Sequence, residues 1–344
     1  MRKLVEALTR PLGSSSFLTL LENSERNSNR LRILTYHRVA ELDADPDLEP
    51  GLISATPERF RIEMAFLKGR YNPISLSALL DAHANRAPLP VRAVLVTFDD
   101  GYLDFAENAW PVMRELGIPA TLFVPTDFPD GRPEGFWWDR IHAALRRTTR
   151  RTLAIDPLGQ LDLETPVQRR HAYRIIRNFV KSMPHAPAMT WVDGLIDRLA
   201  ELPPLNRVLG WEALRRLAEG SVHIGSHSRE HALLTRLEAS QLAEDLSESL
   251  EKVRSELGAN APPPVLAYPS NAVNPAVQEA ASRAGYLLSF GGERRLNRLP
   301  LRNSQALNRM PVQRYEQGLY RAQLRPTISF VGGALTAIRG KIRA

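Results

Sequence analysis

The 344-residue chain predicts an α/β fold, arranged either as a barrel or as an open parallel sheet. Two observations carry that expectation. Ala93 to Phe98 (AVLVTF) is a continuous apolar run, as in a strand buried on both faces. A helical stretch closed by Gly117 follows it, and then a second apolar run, Ala120 to Val124 (ATLFV), so that strand, helix and strand fall within about thirty residues, the size of a βαβ unit. Strand-helix alternation resumes after residue 210 and continues to Phe290.

Taken in order, residues 1–30 read as a tail, polar around SSSF and ENSERNSNR. Leu31 to Thr35 reads as a strand ending at Tyr36-His37. Thr56 caps a helix with Pro57 at its first position, and Phe60, Met64 and Leu67 give that helix one apolar face. A short strand near Pro73 to Leu76 precedes a helix from Ser77, and another helix spans about Asp104 to Leu116. From about 127 to 210 the pattern is mostly helical, from FWWDRI to TWVDGLIDRLA, and reads as an insertion rather than a second domain. Trp211 to Ala218 is a helix and Val222 to Gly225 a strand. Leu242, Leu246, Leu250, Val253 and Leu257 mark one face of a long helix closed by Gly258. Val265 to Tyr268 is a strand, Asn274-Pro275 opens a helix that Gly285 ends, and Tyr286 to Phe290 is a further strand.

With 43% hydrophobic and 24% charged residues the composition is that of a soluble globular protein. The absence of cysteine excludes disulfides, thiolate metal sites and cysteine nucleophiles, so any metal must take nitrogen and oxygen ligands. No signal peptide or transmembrane helix is read near the N-terminus, and a cytoplasmic location is expected. Residues 294–344 carry eleven Arg or Lys against one acid, Glu316, on an otherwise mildly acidic chain. Such a segment suits phosphates, anionic lipid or nucleic acid, or is a plain solvated surface. Within it Val331, Leu335, Ile338 and Ile342 form one helical stripe, with Arg339, Lys341 and Arg343 off it. The stripe either rests on an anionic membrane at the inner face or docks on the folded domain. No nucleic-acid motif accompanies the charge, and no nucleic-acid partner is expected.

Working residues in either architecture collect where parallel strands end. Asp99 and Asp100 stand immediately after AVLVTF, and HSREH (His227 to His231) stands immediately after VHIG. A helical turn would put both imidazoles on one side. Two histidines and a carboxylate make a three-ligand site with an open position for water, and the cation offsets the repulsion between adjacent aspartates. One aspartate would bind it; the other would stay ionised and take a proton.

TFDDGY followed by HSREH across a βαβ unit resembles the NodB-like polysaccharide deacetylases, carbohydrate esterase family 4. Over residues 31–315 the resemblance implies a distorted (β/α) barrel with the insertion at about 127–210, leaving a basic tail at 316–344. It implies metal-dependent removal of acetyl groups, with zinc the first candidate and cobalt, nickel or manganese the others. Asp99 would be the catalytic base, and Asp100, His227 and His231 the metal ligands. LAYPSN resembles the third family motif, with Pro269 and the N–H of Ser270 as oxyanion donor and Tyr268 beside them. Two departures stand out: Leu266 occupies the place where many members carry an arginine that orients the base, and no histidine follows His231 to act as general acid. His37 is the candidate acid, or else a hydrogen-bonded histidine at the barrel mouth. Trp138, with Trp137, offers either a sugar-stacking surface or core, and His223 shares strand parity with His227 but reads as a plain strand position. The expected activity is hydrolysis of an acetyl amide on an N-acetylhexosamine-containing polysaccharide or glycolipid. The alternative is a non-catalytic member of the family that binds glycan or an anionic surface.

Overall fold

A computed structural model of the protein describes residues 29–324, apart from 132, 200, 201, 203, 315 and 316. The chain begins with β1 (Arg30–Tyr36), a short parallel pair β2 (Arg38–Val39) and β3 (Ile53–Ala55), α1 (Pro57–Arg70), β4 (Asn72–Pro73), α2 (Leu76–Ala84) and β5 (Ala93–Phe98). One turn of π-helix (Phe105–Ala109) runs into α3 (Trp110–Leu116), and β6 (Thr121–Val124) follows. Next come α4 (Trp137–Arg147), a hairpin of β7 (Thr152–Ile155) and β8 (Gly159–Asp162), α5 (Pro166–Ser182) and α6 (His185–Leu199). The remainder is α7 (Trp211–Glu219), β9 (His223–Ser226), α8 (Ala239–Leu257), β10 (Val265–Ala267), α9 (Pro275–Ala284), β11 (Leu288–Phe290), β12 (Asn297–Arg298), β13 (Met310–Pro311) and α10 (Gln317–Gln323).

The main sheet runs β11-β10-β9-β6-β5-β1-β12, and only the last pair is antiparallel. β5 lies at its centre with every residue buried, as its unbroken apolar run requires. It pairs with β1 from Leu31↔Ala93 to Tyr36↔Phe98, while β4 and β6 share its other edge. The curled sheet is drawn together between β11 and β1 by the segment 307–312. Leu307 bridges to Phe290 of β11, while Met310 and Pro311 of β13 pair with Leu34 and Thr35 of β1. The result is a distorted (β/α) barrel with a seam.

α1 starts and α3 ends on the expected signals, whereas the strand expected near Pro73 to Leu76 is only Asn72–Pro73 and α2 starts at Leu76, because Ser75 caps it by accepting the Ala78 N–H. Thr56 Oγ1 accepts the Arg59 N–H ahead of α1, and Gly117 ends α3 at φ 62°, a left-handed conformation that costs glycine little. The insertion is not purely helical: the β7–β8 hairpin turns Leu153, Ile155 and Leu161 inward at strand period. Trp137, Ile176 and Leu195 of the insertion join Val96, Phe98 and Leu122 of the sheet in one continuous core, so it packs as part of the same domain. The segment after 316 begins by docking: Tyr320 and Leu324 are buried, the Leu324 carbonyl accepts Arg32 Nε at 2.6 Å, and the Tyr320 hydroxyl lies 3.2 Å from that of Tyr36. The stripe from Val331 to Ile342 and the N-terminal tail before residue 29 fall outside the described residues. No described helix is long and apolar enough to cross a membrane.

The start of the π-helical turn is tied to β2. Arg38 Nε donates to Asp104 Oδ2 at 2.8 Å, and Asp104 Oδ1 accepts the Val39 N–H at 3.1 Å, with both side chains almost wholly buried. Asp104→Ala is therefore expected to lower stability by about 3–5 kcal/mol, because it strands a buried guanidinium. Urea unfolding measures this, and Arg38→Met combined with Asp104→Ala should recover part of the loss.

Candidate active site

A cleft of about 280 Å³ opens where β1, β5, β9 and β10 end. β5 delivers Asp99 and Asp100, whose backbone turns sharply: Asp100 and Gly101 take φ 72° and 71° in succession. The Asp99 N–H is held by the Tyr36 carbonyl at 3.0 Å, which continues the β1–β5 ladder by one residue. Both carboxylates are buried.

His227 follows β9 and is anchored twice. Its N–H donates to the Val124 carbonyl at 2.9 Å, and its Nδ1 lies 2.7 Å from the Ala267 carbonyl. A carbonyl can only accept, so Nδ1 carries the proton and Nε2 offers its lone pair. Burial pulls the His227 pKa down to about 4, which keeps the ring neutral. The expected helical turn is absent. Residues 227–231 form a loop in which Ser228 and His231 take left-handed φ values of 63° and 58°. The residues between the histidines hold that loop: Arg229 pairs with Asp127 and Glu248, its N–H faces Asp245, and the Ser228 carbonyl accepts the Thr126 N–H.

Asp100 Oδ1 lies 3.5 Å from His227 Nε2 and 3.4 Å from His231 Nε2. The donor atoms of the three residues all lie within 4.8 Å of one another. Asp100 Oδ1 is buried without a hydrogen-bond partner. Burial alone would raise the Asp100 pKa, but His231, His37 and His227 hold it well below the usual carboxylate range. An ionised, orphaned carboxylate oxygen between two imidazole nitrogens fits a divalent cation, and the N₂O donor set suits zinc among others.

Asp99 has a different partner. Arg309 Nη1 donates to its Oδ1 at 2.7 Å, and Arg309 Nη2 donates to Asn271 Oδ1 at 2.9 Å. Burial pushes the Asp99 pKa up, yet Arg309, His227 and His37 more than offset it and leave the group ionised. Arg309 precedes β13 and sits in the seam of the barrel. It supplies the cation that appeared to be missing at Leu266, which is a buried strand residue packed in an apolar cluster instead. Sequence reasoning did not single out Arg309, because nothing local distinguishes it among the chain's 45 Lys and Arg residues.

The other expected residues divide. His37 ends β1 and lines the cleft; its N–H donates to Ser54 Oγ at 3.0 Å, and its imidazole makes no hydrogen bond among the described residues. Ser270 lines the cleft in a 3₁₀ turn at φ 54°. Pro269 is buried just behind it. Tyr268 turns away, fully buried, with its hydroxyl donating to the Gln305 carbonyl at 2.8 Å, and so offers no side chain to the cleft. His223 lies at the far end of β9, bonded to the Pro263 carbonyl at 3.1 Å, and takes no part.

Trp138 is buried, as its core reading expects, and it also walls the cleft. Its ring packs edge-on to His231 at 4.7 Å and stacks on Phe136 at 4.4 Å. Its Nε1 donates to the Tyr102 hydroxyl at 2.9 Å, which donates to Asp139 Oδ2 at 2.6 Å. Asp139 Oδ1 also accepts the Glu49 N–H at 2.7 Å, and burial raises the Asp139 pKa to about 7. Three elements thereby fix one aromatic wall.

Comparison with known proteins decides the family. The profile described as polysaccharide deacetylase matches residues 86–148 and 175–289, just over half of the chain. The chain belongs to the polysaccharide deacetylase family. The interruption at 149–174 holds the hairpin and the first half of α5. Poly-β-1,6-N-acetyl-D-glucosamine N-deacetylase of Escherichia coli K12 is 32% identical over 122 residues, which is 35% of this chain but only 16% of that relative's length. The enzyme of the same name from Staphylococcus epidermidis RP62A is 28% identical over 107 residues, covering 29% of this chain and 37% of the relative. Among solved structures, the Streptococcus pyogenes deacetylase PplD in complex with acetate superposes with TM-score 0.57 at 16% identity, covering 87% of this chain and 99% of that one. IcaB from Ammonifex degensii gives 0.54 at 18% identity, covering 86% and 97%. At such identity the likeness establishes the fold of this polysaccharide deacetylase family member as that of the solved deacetylases.

The geometry separates ligands from neighbours. Replacing His227 or His231 by Ala is expected to remove most zinc retained after dialysis, whereas Asp99→Asn retains it. Elemental analysis of the purified variants reads the difference; equal zinc in all of them contradicts the assignment.

Proposed function

We propose that this protein is a metal-dependent deacetylase that hydrolyses an acetyl amide on an N-acetylhexosamine-containing polysaccharide or glycolipid. The observation that carries the reading is the meeting of Asp99 with the Asp100–His227–His231 cluster in a single cleft. Support for the substrate comes from the two relatives whose names specify poly-β-1,6-N-acetyl-D-glucosamine.

A divalent ion held by Asp100, His227 and His231 would supply Lewis acidity at the acetyl carbonyl oxygen and make water a better nucleophile. Asp99, kept ionised and oriented by Arg309, takes the proton of the attacking water. Asn271 fixes the other arm of the same guanidinium, so the base is held by a charged fork rather than by a flexible side chain. The Ser270 N–H serves the developing oxyanion. As the carbon–nitrogen bond breaks, the amine takes a proton from His37 and acetate departs. Trp138 and Trp137 border the sugar.

Asp99→Asn should lower acetate release from N-acetylglucosamine oligomers by about 10²–10⁴-fold, the usual worth of a general base. His37→Ala should slow those amides far more than an activated acetyl ester, whose leaving group needs no proton. Equal losses on amide and ester would make His37 structural.

The reading extends to place. We take the protein to act in the cytoplasm, with the part of its basic tail beyond the docked Leu324 against the anionic inner membrane face, where each basic residue contributes roughly 1 kcal/mol. The full chain should sediment with anionic vesicles in low salt and a chain cut after Pro326 should not; equal sedimentation contradicts this.

A further inference from the structure

Beyond the three ligands and the base, the cleft carries positive charge that the reaction does not use. α5 turns Tyr173, Arg177 and Lys181, spaced by four, into it from one helical face. Like charges at that spacing repel, and the repulsion grows as the pair is turned away from solvent. Of the other cations of α5, Arg169 donates to the Arg146 carbonyl and Arg174 to His171, and Arg170 is exposed to solvent. Arg177 and Lys181 form no ion pair among the described residues, and Arg177 Nε and the Tyr173 hydroxyl are buried without a hydrogen-bond partner. Lys181 Nζ donates to Ser270 Oγ at 3.1 Å, which sets its charge beside the 3₁₀ turn at the site.

No carboxylate of the cleft forms an ion pair with these cations among the described residues: Asp99 is paired with Arg309, and Asp100 faces the two histidines. Glu49, across the cleft, folds back so that its Oε1 accepts the Gly51 N–H at 3.0 Å. Two cations without an ion pair and a hydroxyl without a partner, partly buried on one face, are a binding surface for an oxyanion.

We propose that the sugar bound here carries an acidic group, a phosphoryl or a carboxylate, near the acetamide, and that Arg177, Lys181 and Tyr173 hold it. This rests on the deacetylase reading for the acetamide and on the insertion alone for the acid. Neither relative's name mentions an acidic group, and the aromatic wall and metal ligands would serve a neutral sugar equally well.

Calorimetric binding to the zinc-loaded full chain tests it, with three probes: N-acetylglucosamine, its 1-phosphate and N-acetylmuramic acid. At least one acidic probe should bind about tenfold or more tighter than the neutral sugar, the value of a charge-assisted hydrogen bond. The acidic probe that gains more identifies the group as phosphoryl or carboxylate. High salt should shrink the preference in the unmodified protein, and Arg177→Met with Lys181→Met should remove it, with thermal unfolding confirming that the variant is folded. Equal affinity for all three probes in the unmodified protein overturns the inference, as does a preference that survives the double substitution in a folded protein. Acetate release measured alongside keeps the two readings apart: turnover without acidic preference fells only this inference, and acidic preference without turnover on any substrate supports it while felling the deacetylase reading.

Discussion

Two carboxylates placed side by side beneath a sheet must each find positive charge, and the molecule is arranged around how they do so. Asp99 is answered by a guanidinium 210 residues away, whereas Asp100 faces two imidazoles, that of His227 neutral, and keeps one oxygen unsatisfied at the place a cation would fill. Burial raises the pKa of both groups, and the groups facing them more than offset that rise. The proposed division of labour rests on this difference: a carboxylate saturated by a guanidinium suits a base, and its neighbour with an open lone pair suits a metal ligand.

The supporting structure keeps these partners in register. β9 and β10 lock the tautomer of His227 through a backbone carbonyl, so the orientation of that ring is a property of the sheet. The loop bearing His231 gains nothing from helical geometry; it is pinned through Arg229, and the ring is then packed by Trp138. The wall behind Trp138 reaches through Tyr102 and Asp139 to the backbone of Glu49, so the insertion and the β2–β3 region are coupled to the metal-side histidine without touching Asp100. The insertion serves as one wall of the site as well as part of the core.

Much of this could be read from the chain, and the exceptions have physical reasons. AVLVTF, ATLFV and the capped helices were legible because a long apolar run or a full helical face writes itself locally. The four-residue spacing of His227 and His231 anticipated that the two imidazoles meet, but through the wrong geometry, since a loop with two left-handed residues brings together what a helix was expected to align. Arg309 was illegible: β13 is two residues long, carries no period, and gains its place only by pairing with β1 across the whole domain. Tyr268 sits in the expected motif, but its side chain enters the apolar cluster with Leu246 and Val277, and only its neighbours Ser270 and Asn271 reach the cleft. The β7–β8 hairpin was hidden by the strongly helical sequences on both sides of it.

The seam of the barrel also has a consequence in time. At about 5–20 residues per second, a ribosome delivers Arg309 roughly 10–40 s after Asp99. Through that interval β5 and its neighbours can begin to pair, but the acidic turn at its end has no counter-ion from the seam. Closure of the barrel at its seam and the pairing of Asp99 with Arg309 are therefore a single late event, and a product of translation that stops short of residue 309 lacks both.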